Sequence, residues 1–125
     1  MNTAASKNPL AIVLICVLSA ASMSKAAAEP VHYTIELRVD PARSEEFLAV
    51  MKEAAPDTRA FEGCQYFAIL VDETDPGRVL FYEVWDSKEH LEAYQRWRSE
   101  TNFGAKIAPY MAGDSVRTFY TKFDD

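Results

Sequence analysis

Apolar side chains fall on every second position near the start of the folded region: Tyr33, Ile35, Leu37 and Val39 alternate with His32, Thr34, Glu36 and Arg38. That period predicts a half-buried strand over residues 31–39. Asp40-Pro41 ends it, because Asp is a good N-cap and Pro suits the first helical position. The period then lengthens to that of a helix, with Phe47, Leu48, Met51, Ala55 and Thr58 on one side. Pro56 has no amide hydrogen to donate, so a kink or a break into a short second helix ending near Phe61 is expected.

"GCQYFAILVDE" (63–73) reads as a second strand and "RVLFYEVW" (78–85) as a third. Asp75-Pro76-Gly77 between them reads as a turn in which Pro presets φ and Gly accepts a positive φ. Asp86-x-x-Glu89 resembles a capping box and opens a second helix with Leu91, Tyr94 and Trp97 or Arg98 along one face. "TNFGAKIAPYMAGD" reads as a short helix between breaks, and "SVRTFYTKF" (115–123) as a closing strand. The order β-α-β-β-α-β predicts a ferredoxin-like α+β domain: a four-stranded antiparallel sheet with two helices on one face.

The helices cover one face of such a sheet, yet the other face is not polar. Strand two is apolar on both sides, and Leu80, Tyr82 and Val84 alternate with Val79, Phe81 and Trp85 on strand three. A sheet apolar on both faces needs a second cover. A second copy of the chain is the simplest one, so a homodimer with sheets face to face is expected.

The first 28 residues have a different character. Lys7 is followed by an apolar run from Leu10 to Val17 and then by small residues ending in Ala26-Ala27-Ala28. That is the layout of a secretory signal peptide, and the run is too short for a membrane span of about 20 residues. Residues 1–28 are therefore read as a signal peptide cut after Ala28, with Ala26 as the alternative, leaving a single domain at 29–125. Cys16 lacks a lipoprotein cleavage pattern, so no stable membrane anchor is expected after cleavage. The mature chain is expected to be periplasmic or secreted from a bacterium. Losing Lys7 and Lys25 leaves 11 basic against 19 acidic residues, a net charge of about −8. No basic stripe interleaved with aromatics appears, which argues against nucleic acid as a partner. Cys64 alone survives maturation, so no internal disulfide staples the fold, and Cys64 is read as a small buried residue in preference to a reactive thiol.

His32 and His90 sit on different elements and one Cys cannot complete a zinc set, so no metal site is expected. Neither a phosphate loop, a dinucleotide fingerprint nor a hydrolytic Ser-His-Asp spacing is found. The stretches "ELRVDPARSEEFLAVMKEAAPDTRAFEGC" and "DPGRVLFYEVWDSKEHLEAY" resemble the antibiotic biosynthesis monooxygenase (ABM) domain family, over about residues 32–122. "EGC" and "YEVWDSKEHLEA" are the most specific pieces. The resemblance implies a dimeric ferredoxin-like α/β barrel. Family members include cofactor-independent monooxygenases acting on anthrone- and quinol-type polyphenols; others degrade haem or isomerise small signalling molecules. It further implies that Trp85 lines a pocket between sheet and helices, which Tyr33, Ile35, Leu37 and Phe81 share.

Departures from the family pattern narrow the chemistry. Several catalytic members carry Asn at the position of Phe81, and the haem-degrading branch carries it at that of Ile35, so Ile35 argues against haem degradation. Family histidines fall at Tyr94 and, beyond an insertion around "RWRSE", at Asn102. The candidates for proton handling are then Tyr94, Asn102, His90 and Glu83. Trp85, Tyr94 and Asn102 are taken as the catalytic set, with Tyr33, Ile35, Leu37, Phe81, Glu83 and Phe103 binding substrate. Each has a plainer structural role beside it. Trp85, Tyr94 and Trp97 could be core, His90 a solvated surface residue, and His32 an interface residue; Glu83 could be paired with Arg38, Arg78 or Arg117.

Two functions follow as expectations. One is an exported, cofactor-independent monooxygenase or quinol-oxidising enzyme for a small hydroxylated aromatic. The other is a non-catalytic dimer that binds such a molecule on the same fold. A polar group beside Trp85 would favour turnover; a wholly apolar surround would favour binding.

Overall fold

A computed structural model describes residues 29–125, and the leader assigned to residues 1–28 lies outside the described residues. Strand β1 spans Val31–Arg38. A 3-10 turn over Pro41–Arg43 leads into helix α1, Ser44–Ala60. Strands β2 (Cys64–Val71) and β3 (Arg78–Trp85) follow, then helix α2 (Lys88–Glu100). A short helix α3 (Phe103–Ile107) and a further 3-10 turn precede β4 (Val116–Tyr120). The strands lie in the order β2-β3-β1-β4, all neighbours antiparallel, which is the ferredoxin-like arrangement expected from the sequence.

Register fixes which residues share a face. Phe67, Glu83, Tyr33 and Phe119 form one row across all four strands, and Ile69, Phe81, Ile35 and Arg117 the next. Both rows point toward the helices. Phe47 and Met51 of α1 pack on this face with Leu37, Phe67, Val79 and Phe81, the Phe47 and Phe81 rings stacking 6.4 Å apart. Full burial of a side chain such as Phe47 contributes roughly 2 kcal/mol. A second cluster, Tyr33, Trp85 and Leu91, joins β1 and β3 to α2, and Ile35 touches both clusters.

Three local expectations are corrected. Helix α1 runs unbroken through Pro56, whose exposed position lets water reach the carbonyl that loses its partner. The N-cap of α2 is Ser87, not Asp86: Ser87 is extended and its Oγ accepts from the His90 amide at 3.2 Å. Asp86 instead accepts from Gln65 Nε2 at 2.7 Å. The positive φ belongs to Gly63 (+88°) and not to Gly77. Gly77 is required for close approach, since a Cβ there would lie 2.6 Å from the Val39 carbonyl oxygen. The turn itself is organised by Asp72, which accepts from the Thr74 amide, the Thr74 hydroxyl and the Asp75 amide.

Candidate active site

The site is built where the Phe67–Glu83–Tyr33–Phe119 row passes beneath α2. Alternation along β3 puts Glu83 and Trp85 on the same face, two residues apart. Both are buried, Glu83 to 2% exposure and Trp85 to 0%. Trp85 Nε1 donates to Glu83 Oε2 at 2.8 Å, so the indole is both a packing group and the hydrogen-bond partner of a buried carboxylate. Around the indole stand Tyr94 (centroids 4.8 Å apart), Phe61 (6.2 Å, edge-on) and Leu91. Packing by three elements holds the ring in one orientation, and the ring in turn holds the carboxylate.

Burial pushes the Glu83 carboxyl above the usual carboxylate range, while the Trp85 bond and the Arg117 charge partly oppose that shift. Tyr33, buried and in register beside Glu83, is likewise raised by burial. Arg117 and Gln95 approach its hydroxyl and favour the ionised form, whereas the Glu83 charge disfavours it. Arg117 is exposed, Gln95 half-buried and Phe119 exposed, so the hydroxyl end of Tyr33 lies just beneath the surface between α2 and β4. The Phe119 ring sits 4.8 Å from that of Tyr33, with Lys88 Nζ 5.1 Å above it. The arrangement is a shielded carboxylate and phenol behind an aromatic, cationic rim. Such a set can accept a proton and stabilise an anion.

The other residues singled out from the sequence fall in several places. Tyr94 faces α1: its hydroxyl pairs with Thr58 Oγ1 at 2.7 Å and accepts from Arg98 Nε at 3.0 Å. Arg98 also donates to the Ala54 carbonyl and lies over Trp97 and Phe103, so Phe103 belongs to this clamp between helices. Asn102 is exposed, in a left-handed conformation at the junction of α2 and α3. Leu37 and Phe81 are core, and Ile35 bridges core and site. His90 is half-buried and bonded through Nδ1 to Ser87 Oγ. His32 lies on the opposite face against the Tyr82 hydroxyl. Cys64 is half-buried near Glu83, and its thiol pKa is raised, mainly by burial. Of the arginines suggested for Glu83, Arg38 and Arg78 pair with Asp75 and Glu36, leaving Arg117 as the one whose charge Glu83 feels.

Gln95 and Phe119 were not foreseen as site residues. The alternation of β4 could have put Phe119 on the Tyr33 face, but Gln95 has no signal of its own in the chain. The uncovered sheet face carries a shallow basin of about 400 Å³ lined by Thr34, Leu70, Leu80, Val116, Thr118 and Tyr120 among others. That basin lies across the sheet from Trp85.

Residues 30–105 match the family model described as antibiotic biosynthesis monooxygenase. A Synechocystis protein, the uncharacterized protein sll1783, is 31% identical over 68 residues, covering 54% of this chain and 46% of that one. The chain thus matches about half the length of that curated relative. Among solved structures, Rv0793 from Mycobacterium tuberculosis superimposes with a TM-score of 0.68 at 18% identity, over 78% of this chain and 98% of that one. A Caulobacter crescentus protein solved as a candidate antibiotic biosynthesis monooxygenase gives 0.69 at 25% identity, over 76% and 91% respectively.

Proposed function

The chain belongs to the antibiotic biosynthesis monooxygenase family, and from that premise we propose that it is an exported, cofactor-independent monooxygenase or quinol-oxidising enzyme for a small hydroxylated aromatic. The observation that carries this reading is the Glu83 carboxylate, buried, raised in pKa and held by Trp85 Nε1 behind Tyr33. It is the polar group beside Trp85 on which turnover depends.

The substrate enters between α2 and β4, past Phe119. Its hydroxyl meets the Tyr33 hydroxyl, and the proton crosses Tyr33 to ionised Glu83. A carboxylate of raised pKa is a stronger base than a solvated one, and Arg117 favours the phenolate that forms. The electron-rich anion then reduces O₂. A quinol gives up two electrons and two protons, yielding quinone and hydrogen peroxide. An anthrone-type ring methylene exchanges both hydrogens for one oxygen atom, and the other oxygen leaves as water. In this reading the mature protein is residues 29–125, exported to the periplasm or beyond. A second copy covers the open sheet face, a proposal supported by the exposed Tyr66, Leu70, Val116 and Tyr120 there.

Oxygen uptake by the purified protein, with hydroquinones, naphthols and anthrones and no added metal or flavin, tests the reading. Uptake above autoxidation that is lost in Glu83→Gln supports it. If uptake is absent while the same compounds still quench tryptophan fluorescence saturably, the protein binds such molecules without turning them over.

A further inference from the structure

We propose that the substrate carries an anionic substituent, a carboxylate or its equivalent, which Arg117 and Lys88 hold at the rim while Phe119 supports the ring; this rests on the reading of the site given above. The mature chain is strongly acidic, with 19 acidic residues. An acidic surface repels anions in general. The entrance to the Tyr33–Glu83 row departs from that background. Arg117 and Phe119 project from the same face of β4, two residues apart, and Lys88 reaches over the Phe119 ring at 5.1 Å from the start of α2. Lys88 thus lies over the Phe119 ring, which is 54% exposed although it faces the helices, and Arg117 stands one alternation away on the same face of β4.

The plain structural account of this rim is incomplete. A ring left half in water on the inner face of a sheet forgoes burial that β4 could otherwise have gained. Arg117 points inward to Tyr33 and Glu83, and its charge lowers the pKa of both while Glu83 lies too deep for a surface ion pair. A planar ligand resting on Phe119 would cover the exposed ring. Its negative substituent would reach the guanidinium, which suits a planar carboxylate. A hydroxyl elsewhere on the ligand ring would then face Tyr33. Binding and reaction are thereby divided between the two ends of one ligand: charge at the rim, proton at the row.

The test compares gentisate with its methyl ester, which share ring and hydroxyls and differ in charge. Tryptophan quenching reads binding, and oxygen uptake reads turnover separately. Gentisate should bind about tenfold more tightly than the ester, the scale of one charge-assisted contact. Arg117→Gln should remove most of that preference, read as the ratio of gentisate to ester affinity within the same variant, and Lys88→Gln should reduce it by a smaller factor. Circular dichroism of both variants establishes that the fold is intact, which exposure at both positions favours. Equal affinity for the two ligands, or a preference unchanged in Arg117→Gln, overturns the inference even when oxygen uptake is robust. A preference lost in Arg117→Gln without any uptake supports the anion site and counts against the oxygenase.

Discussion

Trp85 Nε1 lies 2.8 Å from Glu83 Oε2, and both residues are almost wholly buried. The indole therefore cannot be treated as packing alone: removing it strands a carboxylate in a low-dielectric interior. Trp85→Phe keeps most of the ring volume but deletes the donor, so a loss of about 1–3 kcal/mol is expected from the unpaired partner. Trp85→Ala adds a cavity and should cost about 3–5 kcal/mol. Urea denaturation of the two variants checks the order. A Trp85→Phe variant as stable as the wild type would mean that the hydrogen bond contributes nothing.

Glu83 gives a pH dependence with a definite sign. Its carboxyl is raised in the fold above the ordinary 4.5. The folded state therefore binds the proton more tightly than the unfolded state, and this stability is fully present below the unfolded value. It is lost as pH rises through the folded value. Glu83→Gln carries no proton to lose. The stability of the wild type relative to Glu83→Gln should fall across that window and level off above it, as thermal melts from acid to neutral pH would reveal. A difference independent of pH would contradict the assigned shift.

Tyr94 separates structural from catalytic work. Its hydroxyl is taken up by Thr58 of α1 and Arg98 of α2, at the contact between the helices and not at the Tyr33 row. Thr58 and Arg98 also bond each other at 3.0 Å, so they keep one partner when the phenol is lost. Tyr94→Phe should cost about 1 kcal/mol in stability. Oxygen uptake should fall far less than in Glu83→Gln. A collapse of turnover in a folded Tyr94→Phe would return Tyr94 to the reacting centre.

How much of this was legible in the chain varies with the distance over which each feature is decided. Alternation along β1 and β3 gave the strands and put Glu83 on the Trp85 face, because parity within a strand is a local property. The choice between Asp86 and Ser87 as cap was not legible, since both are good caps and only backbone angles separate adjacent positions. Pro56 looked like a break because its cost depends on whether water reaches the freed carbonyl, and that is set by which side of α1 faces solvent. Gln95 and Arg117 come together at Tyr33 only through the way α2 lies over the sheet. Their convergence is tertiary, and no spacing in the sequence encodes it.

Gly63 holds the turn into β2 with φ +88°, and a Cβ there would lie 2.3 Å from the His90 ring. Its carbonyl also accepts from the Asp86 amide at 2.8 Å, tying the start of β2 to the entry of α2. Gly63→Ala therefore meets backbone strain and a clash together, with a combined cost above about 1 kcal/mol. His90→Ala would keep a Cβ 2.5 Å from the new one, so His90→Gly is the change that clears the contact, and it leaves the φ strain. Thermal melts of the single and double variants should thus show partial rescue; full additivity would mean that the ring yields freely.

The open sheet face supplies the last prediction. Leu70 and Tyr120 are 51% and 57% exposed on opposite edges of that face, with Leu80 and Val116 between or beside them around the basin. Glu36, Asp72 and Arg78 also line the basin, so the face combines large exposed apolar side chains with ion pairs, a mixture that suits an interaction surface. Analytical ultracentrifugation should return twice the monomer mass for the wild type. Leu70→Asp, which buries a charge in any face-to-face pairing but leaves the helix-side core untouched, should shift the protein toward monomer. Because the Tyr33–Glu83 row lies on the other side of the sheet, gentisate binding should survive in the monomer if each copy holds a complete site. A monomeric wild type would remove the second copy from the reading and leave the basin needing another occupant.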